Sequence, residues 1–206
     1  VDAKGSEVLT SDLKSIKDVE TTYILADTDA KRLKLARQLE KQERFCFDIE
    51  ATSLDRFGAQ VLGIAFSWKT GEASYATIPG IEALEVFRPA LTGAAEKIGH
   101  NLKYDLAVLL NHGLEVSGPF FDTLLAHTLL APDQRHTMDY LAESLLSYTP
   151  IKLSELVGGE PSGAGGTPAQ GDLFQDSGII DVASIPVRKI AQYANEDADI
   201  TFQLSE

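Results

Sequence analysis

The stretch Arg44-Phe45-Cys46-Phe47-Asp48-Ile49-Glu50 decides the reading of this chain. It is a short aromatic strand that ends in acids. Residues i and i+2 of a strand point to the same face, so Asp48 and Glu50 stand side by side at the end of an apolar run. Two adjacent anions repel, and one pKa rises unless a cation sits between them. Taken alone, an Asp-x-Glu at a strand end is more often a solvated turn than a site.

Outward from this strand the pattern is α/β. Thr21 to Ala26 reads as a strand, and Thr28 or Asp29 caps a helix to about Gln42. Gln60 to Trp68 and Ala73 to Ile78 read as two strands of a hairpin, with Gly71 in the turn. A helix is expected from Ile81 to Leu91, a brief strand at Lys97 to His100, and a helix from Leu102 to Asn111 that ends at Gly113. Asp122 caps a helix over Thr123 to Leu130, stopped by Pro132, and Met138 to Leu146 is helical. Gly158 to Gly178 reads as a long Gly-rich loop, and Val187 to Glu206 as the last helix, still in a helical pattern at its final residue. Strands with a hairpin, then alternating strand and helix, then helices, imply a mixed central sheet flanked by helices.

The composition bounds the function. Lys and Arg total 18 and Asp and Glu total 31 in 206 residues, a net charge of −13. That argues against a self-sufficient duplex-DNA binder, which needs clustered cations, but not against phosphate met through metal ions held by carboxylates. Cys46 is the sole cysteine, so no intrachain disulfide forms, and a cytoplasmic location is expected. No apolar run approaches the roughly 18 residues of a membrane span. The N-terminus lacks signal-peptide character and an initiator Met, so the chain reads as a fragment, with residues 1–20 as linker or tail and 21–206 as one domain.

Two further acidic groups stand out. Asp105 lies four residues after Asn101 and borders the apolar face formed by Leu102, Leu106, Leu109 and Leu110. Tyr193 and Asp197 share a face of the last helix, where Glu196, Asp197 and Asp199 crowd together. Each is unremarkable alone: a helix-surface acid, an acidic patch. If Asp48, Glu50, Asp105 and Asp197 converge, they form an all-oxygen cluster suited to Mg²⁺ or Mn²⁺. Spacing alone does not establish that convergence.

The segments carrying these acids resemble a known family. Phe47-Asp48-Ile49-Glu50-Ala51-Thr52-Ser53-Leu54-Asp55 resembles the first motif of the DEDD-type 3′→5′ exonucleases. Gly99-His100-Asn101-Leu102-Lys103-Tyr104-Asp105 is similar to their second motif in its DNA polymerase I form, and Tyr193 to Asp199 to the third in its tyrosine version. Phe121-Asp122-Thr123 and Arg135 to Glu143 are similar to polymerase I sequence too, in the right order along the chain. The resemblance implies a ribonuclease H-like fold and removal of nucleotides from a DNA 3′ end with two divalent cations, Mg²⁺ or Mn²⁺. It implies that Asp48 bridges both ions, that Glu50 and Asp197 complete the tighter site, and that Asp105 holds the second ion through water. Tyr193 would orient the attacking water; Leu54 would wedge against the terminal bases; Asn101, the Ala51 backbone and His100 would contact the strand.

The same resemblance implies a single-stranded or frayed DNA end as partner, a polymerase domain following in the intact chain, and a monomer. There are departures: Ile49 and Ala51 stand where Thr is common, and His100 replaces a frequent Gln. The alternatives are an exoribonuclease of the ribonuclease D type, which shares the acids and the tyrosine, and a catalytically silent domain. The segment Gly158 to Gly166 lacks the Lys-Ser or Lys-Thr of a phosphate loop, and His112, His127 and His136 lack zinc-like spacing. The net acidity implies weak intrinsic grip on DNA.

Overall fold

The computed structural model describes residues 13–156 and 182–206. The Gly-rich stretch 158–178 and the first twelve residues lie outside them. The centre is a six-stranded mixed sheet in the order β1-β4-β3-β2-β5-β6. Its strands are β1 (Thr22–Ala26), β2 (Arg44–Ala51), β3 (Val61–Lys69), β4 (Glu72–Thr77), β5 (Glu96–Gly99) and β6 (Phe120–Asp122). β2, β3 and β4 pair antiparallel, while β1 joins β4, β5 joins β2 and β6 joins β5 in parallel. The tight β3–β4 turn needs a left-handed residue, and Gly71 supplies it at φ +78°.

The aromatic strand lies near the middle of the sheet and is buried on both faces. Phe45, Phe47 and Ile49 enter one apolar core with helices α1 (Asp29–Leu39), α3 (Arg88–Leu91) and α4 (Leu102–Asn111). Cys46 enters the opposite core with Ala194 and Ala198 of the last helix, α8 (Val187–Leu204). This alternation follows from the two-residue period of a strand and puts Asp48 and Glu50 on the α8 side. Cys46 is fully buried and burial pushes its thiol pKa up, so it is the inert thiol that its aromatic neighbours imply. α8 lies across β2, β3 and β4.

Local chemistry sets the helix ends. Thr28 caps α1, accepting from the Lys31 amide at 3.4 Å. The single helix expected over Ile81 to Leu91 is instead two, α2 (Ile81–Glu85) and α3, broken at Val86 and Phe87. Pro89 is the reason: it has no N–H to donate, and its ring would meet the Glu85 carbonyl in a continuous helix. Arg88 grips the Glu85 carboxylate with two nitrogens across the break, each at 2.5 Å. Strand β6 escaped the sequence pattern because it is only three residues long, and so did the single turn α7 (Leu153–Leu156). α5 (Thr123–Leu130) and α6 (Met138–Leu146) match their expected bounds, and α8 closes at Leu204, two residues early.

Of the stretch read as linker, residues 13–20 are described. Lys14 pairs with Tyr148: its amide donates to Ser147 O at 2.9 Å and its carbonyl accepts from Thr149 N at 2.8 Å. Val19 packs beside Ala142, Tyr148 and Ile200. Among the described residues no helix is long and apolar enough to cross a membrane.

Candidate active site

Three elements bring the acids together at the end of β2. Asp48 and Glu50 project from the strand opposite Ala65 and Gly63 of β3. Asp105 comes from the first turns of α4 and is 4% exposed; Asp197 comes from α8 and is 6% exposed. Their electrostatics record the convergence. Burial pushes all four carboxyl pKa values up, and Asp48 and Glu50 raise those of both Asp105 and Asp197 further. Glu50 moves to about 8 and Asp48 to about 6. Among the described residues no basic side chain is among the groups that shift them, and no ion pair involves them.

Clustered carboxylates in a poorly solvated site are costly without a cation, and this all-oxygen donor set fits a hard divalent ion. Asp197 gives the most direct sign: its Oδ1 is buried and has no hydrogen-bond partner. Hard divalent cations take such carboxylate oxygens at roughly 2.0–2.6 Å. Among the described residues no three His, Cys, Asp or Glu side chains are already closed to that spacing. The carboxylates therefore share one field without forming a finished cage.

Tyr193 stands one helical turn before Asp197, close enough for the phenol and the carboxyl to shift each other's pKa. Burial, Asp197 and Glu50 push the phenol pKa well up, so it stays protonated at neutral pH. Gly63 and Tyr75 stand on the neighbouring strands β3 and β4. A Cβ on Gly63 would lie 2.1 Å from the Tyr75 ring, so only glycine opposite Glu50 leaves the ring its place. Tyr75 is in the cross-strand row of Asp48, one strand beyond Ala65, and it feels both acids.

The remaining expected contacts divide. Leu54 is 80% exposed in the loop after β2, where it is free to meet a ligand. Asn111 Nδ2 donates to Arg56 O at 2.7 Å and the Tyr104 hydroxyl donates to Ser53 O, so α4 holds that loop. Ala51 sits half-buried at a bulge where β2 loses register with β3. Asn101 is exposed at φ +63°, a left-handed position that asparagine tolerates better than most residues. His100 turns inward, with Nδ1 2.8 Å from Thr123 Oγ1, and burial lowers its pKa. Beyond it, His127 and His136 approach Nδ1 to Nδ1 at 2.8 Å.

Asp122 does more than the sequence implied. One carboxylate caps two helices: it accepts from Leu124 N and Leu125 N at 2.9 and 3.3 Å, and from Asn101 N and Leu102 N at 3.1 and 2.9 Å. It thereby fixes the turn that launches Asp105. The cap of α5 is legible in Asp122-Thr123; the second cap depends on the β5–β6 pairing of Gly99 with Asp122, which no local pattern announces. Tyr75 was missed likewise, because its neighbours become visible only once strand order is known.

Comparison with known proteins agrees with this geometry. A family model described as 3′-5′ exonuclease matches residues 23–206. The chain is 28% identical over 209 residues to DNA polymerase I of Borreliella burgdorferi, covering 96% of this chain and 21% of that protein. It thus spans about a fifth of the length of the curated relatives it matches. The structure of Escherichia coli RNase D, an exoribonuclease involved in structured RNA processing, superposes with a TM-score of 0.64 at 16% identity, over 90% of this chain and 44% of that one. Brucella melitensis NrnC with bound Mg²⁺ superposes with a TM-score of 0.59 at 18% identity, over 91% and 79%. The fold is therefore ribonuclease H-like, as its motifs implied. From residue 23 onward the chain belongs to the 3′-5′ exonuclease family, in the form carried by DNA polymerase I.

Proposed function

We propose that this domain removes nucleotides from the 3′ end of single-stranded or frayed DNA, as the proofreading part of a cytoplasmic DNA polymerase I. The observation that carries the reading is the convergence of half-buried Asp48 with buried Glu50, Asp105 and Asp197, with no cation among the described groups that shift them and with Asp197 Oδ1 unpaired.

Two divalent cations, Mg²⁺ or Mn²⁺, would be held by the carboxylates of Asp48, Glu50, Asp105 and Asp197. When bound, such ions lower the pKa of a coordinated water and offset charge on the leaving 3′ oxygen. The protein's own groups do the positioning. Tyr193 remains a phenol, so it orients the water through its hydroxyl rather than taking a proton. Leu54 offers an exposed apolar wedge to the terminal base, on a loop that Tyr104 and Asn111 keep still. Asn101 and the Ala51 backbone lie at the ends of α4 and β2, beside the acids, where the terminal nucleotide would rest. His100 is turned toward Thr123, so it would act by shaping that turn, with direct contact to the strand the lesser part.

The net charge of −13 leaves the domain little intrinsic hold on duplex, so a polymerase domain in the intact chain would supply it and the domain would work as a monomer. The test is degradation of a 3′-labelled single strand with Mg²⁺ or Mn²⁺, run beside a matched RNA. Stepwise loss of 3′ nucleotides from DNA, absent in EDTA and after Asp48→Ala, is expected. Equal or faster cleavage of RNA would move the assignment to the ribonuclease D type.

A further inference from the structure

The loop between β2 and β3 is held in shape by its own hydrogen bonds. Thr52 and Gln60 close its base: Thr52 N donates to Gln60 O at 3.0 Å, and Gln60 N donates to Thr52 Oγ1 at 2.9 Å. Inside it, Asp55 turns back on its own chain. Its Oδ1 accepts from Phe57 N at 3.1 Å, and its carbonyl accepts from Gly58 N and Ala59 N at 3.1 and 2.9 Å. From α4, Tyr104 donates to Ser53 O and Asn111 to Arg56 O, so both halves of the loop are tied down.

A loop so well satisfied still shows a large apolar ring to water: Phe57 is 73% exposed. Its ring partner among the described residues is Arg56, whose guanidinium carbon lies 4.7 Å from the ring centroid. Arg56 is exposed, and among the described residues it forms no ion pair. An aromatic face beside an unpaired cation matches the two things that each nucleotide of a single strand offers, a base face and a phosphate.

The two ties from α4 give the loop a direction. Tyr104 adjoins Asp105 in the first turns of the helix, and Asn111 is its last residue. Positions i and i+7 share a helix face, and the rise between them is about 10 Å. The loop therefore runs along α4 away from the acids, with Leu54 next to the near tie and Phe57 next to the far one. A stacked strand rises about 3.4 Å per nucleotide, so about three steps cover the interval.

We propose that Phe57 and Arg56 form an upstream single-strand subsite: Phe57 stacks on the base of the third or fourth nucleotide from the 3′ end, and Arg56 pairs with a phosphate beside it. This rests on the nuclease reading for where the 3′ end lies. It adds a length preference to that reading, because the far end of the loop grips the strand that leads to the acids. In a chain of net charge −13, stacking plus one placed cation holds a strand without a basic patch.

The test compares a DNA dinucleotide with a single-stranded hexanucleotide as substrates of the whole chain in Mg²⁺. Beside it, anisotropy gives the Kd of a hexanucleotide whose linkages resist cleavage. Phe57→Ala lowers the hexanucleotide-to-dinucleotide ratio of kcat/KM about tenfold, through KM, and raises the Kd by the same factor. Phe57→Trp restores both. An abasic residue at the third or fourth nucleotide costs the unaltered chain about tenfold in Kd and costs Phe57→Ala nothing more. Arg56→Ala reduces the slope of log Kd against log salt by roughly 0.7. An unchanged ratio and Kd in Phe57→Ala, no recovery in Phe57→Trp, or an abasic penalty that adds in full to the loss in Phe57→Ala each overturns the proposal. An unchanged salt slope overturns the part given to Arg56. Failure of the nuclease reading would appear instead as no cleavage of either substrate by the unaltered chain, and the Kd measurements would still decide the subsite.

Discussion

α8 carries three buried acids within four residues, and they live in opposite circumstances. Glu196, fully buried, accepts from the Tyr148 hydroxyl at 2.5 Å and from Ile151 N at 2.7 Å. Asp199, 2% exposed, accepts from the Tyr23 hydroxyl at 2.8 Å, Gly71 N at 2.9 Å and Gln203 Nε2 at 3.0 Å. Between them Asp197 has one oxygen without a partner and three other carboxylates for company. Sequence distance and burial are the same, so neither predicts role. Satisfaction does. Glu196 ties the helix to the segment after α6, and Asp199 ties it to β1 and the β3–β4 turn. Asp197 costs the fold free energy, as groups kept for chemistry often do.

Removing charge should therefore act in opposite directions on the two sets. The largest effect belongs to Asp48→Asn or Asp197→Asn: hydrolysis of a 3′-labelled strand falls on the order of 10³-fold or more. Thermal melting without metal should stay level or rise, because a repelling charge is gone. A variant that melts far lower would merge the two sets and break the contrast. Tyr193→Phe comes next, lowering the rate roughly 10- to 100-fold with little change in melting, since a positioning hydroxyl is lost but no anion is added or removed.

Glu196→Gln and Asp199→Asn should do the reverse. Each turns one accepting oxygen into an NH₂ that faces a donor, at a cost of about 2–3 kcal/mol in denaturant unfolding. The folded fraction should cleave at nearly the normal rate. Gly63→Ala belongs with this group, because the new methyl meets the Tyr75 ring. It should destabilise by about 1–3 kcal/mol, and it should also slow cleavage, since Glu50 stands directly across the strand pair.

The same contrast explains what the sequence made legible. The strand over Arg44 to Glu50, the hairpin turn at Gly71 and the α4 and α8 helices follow from local periodicity, and the structure has them. The helix over Ile81 to Leu91 misled, because apolar spacing was read through Pro89. Among the α8 acids, spacing placed Asp197 with Tyr193 on one face, but gave Glu196 and Asp199 no more than crowding. Their partners, Tyr148 and Tyr23, lie 48 and 176 residues away. Only tertiary structure delivers such donors, so a structural acid and an unpaired one look alike in the chain. The double cap at Asp122 and the Gly63–Tyr75 fit were hidden for the same reason.

The smallest effect is in the pH dependence of stability, and its sign tests whether the cluster is a burden. Asp48 and Glu50 bind protons more tightly in the folded chain than in the unfolded one, with values near 6 and about 8 against ordinary values near 4. A raised carboxyl pKa stabilises the fold fully below the unfolded value and loses that contribution as pH rises through the folded one. In EDTA, stability should thus decline between about pH 5 and 8, by about 1–2 kcal/mol once the linked carboxyls share protons. Glu196 and Asp139 shift the same way and leave a residual slope, whereas the lowered Asp18, Asp27 and Glu85 act only at more acid pH. Asp48→Asn with Glu50→Gln should flatten the decline, and Mg²⁺ should flatten it for the unaltered chain but not for the double variant. A decline that survives both would place the pH-sensitive burden outside Asp48 and Glu50 and overturn their part in it.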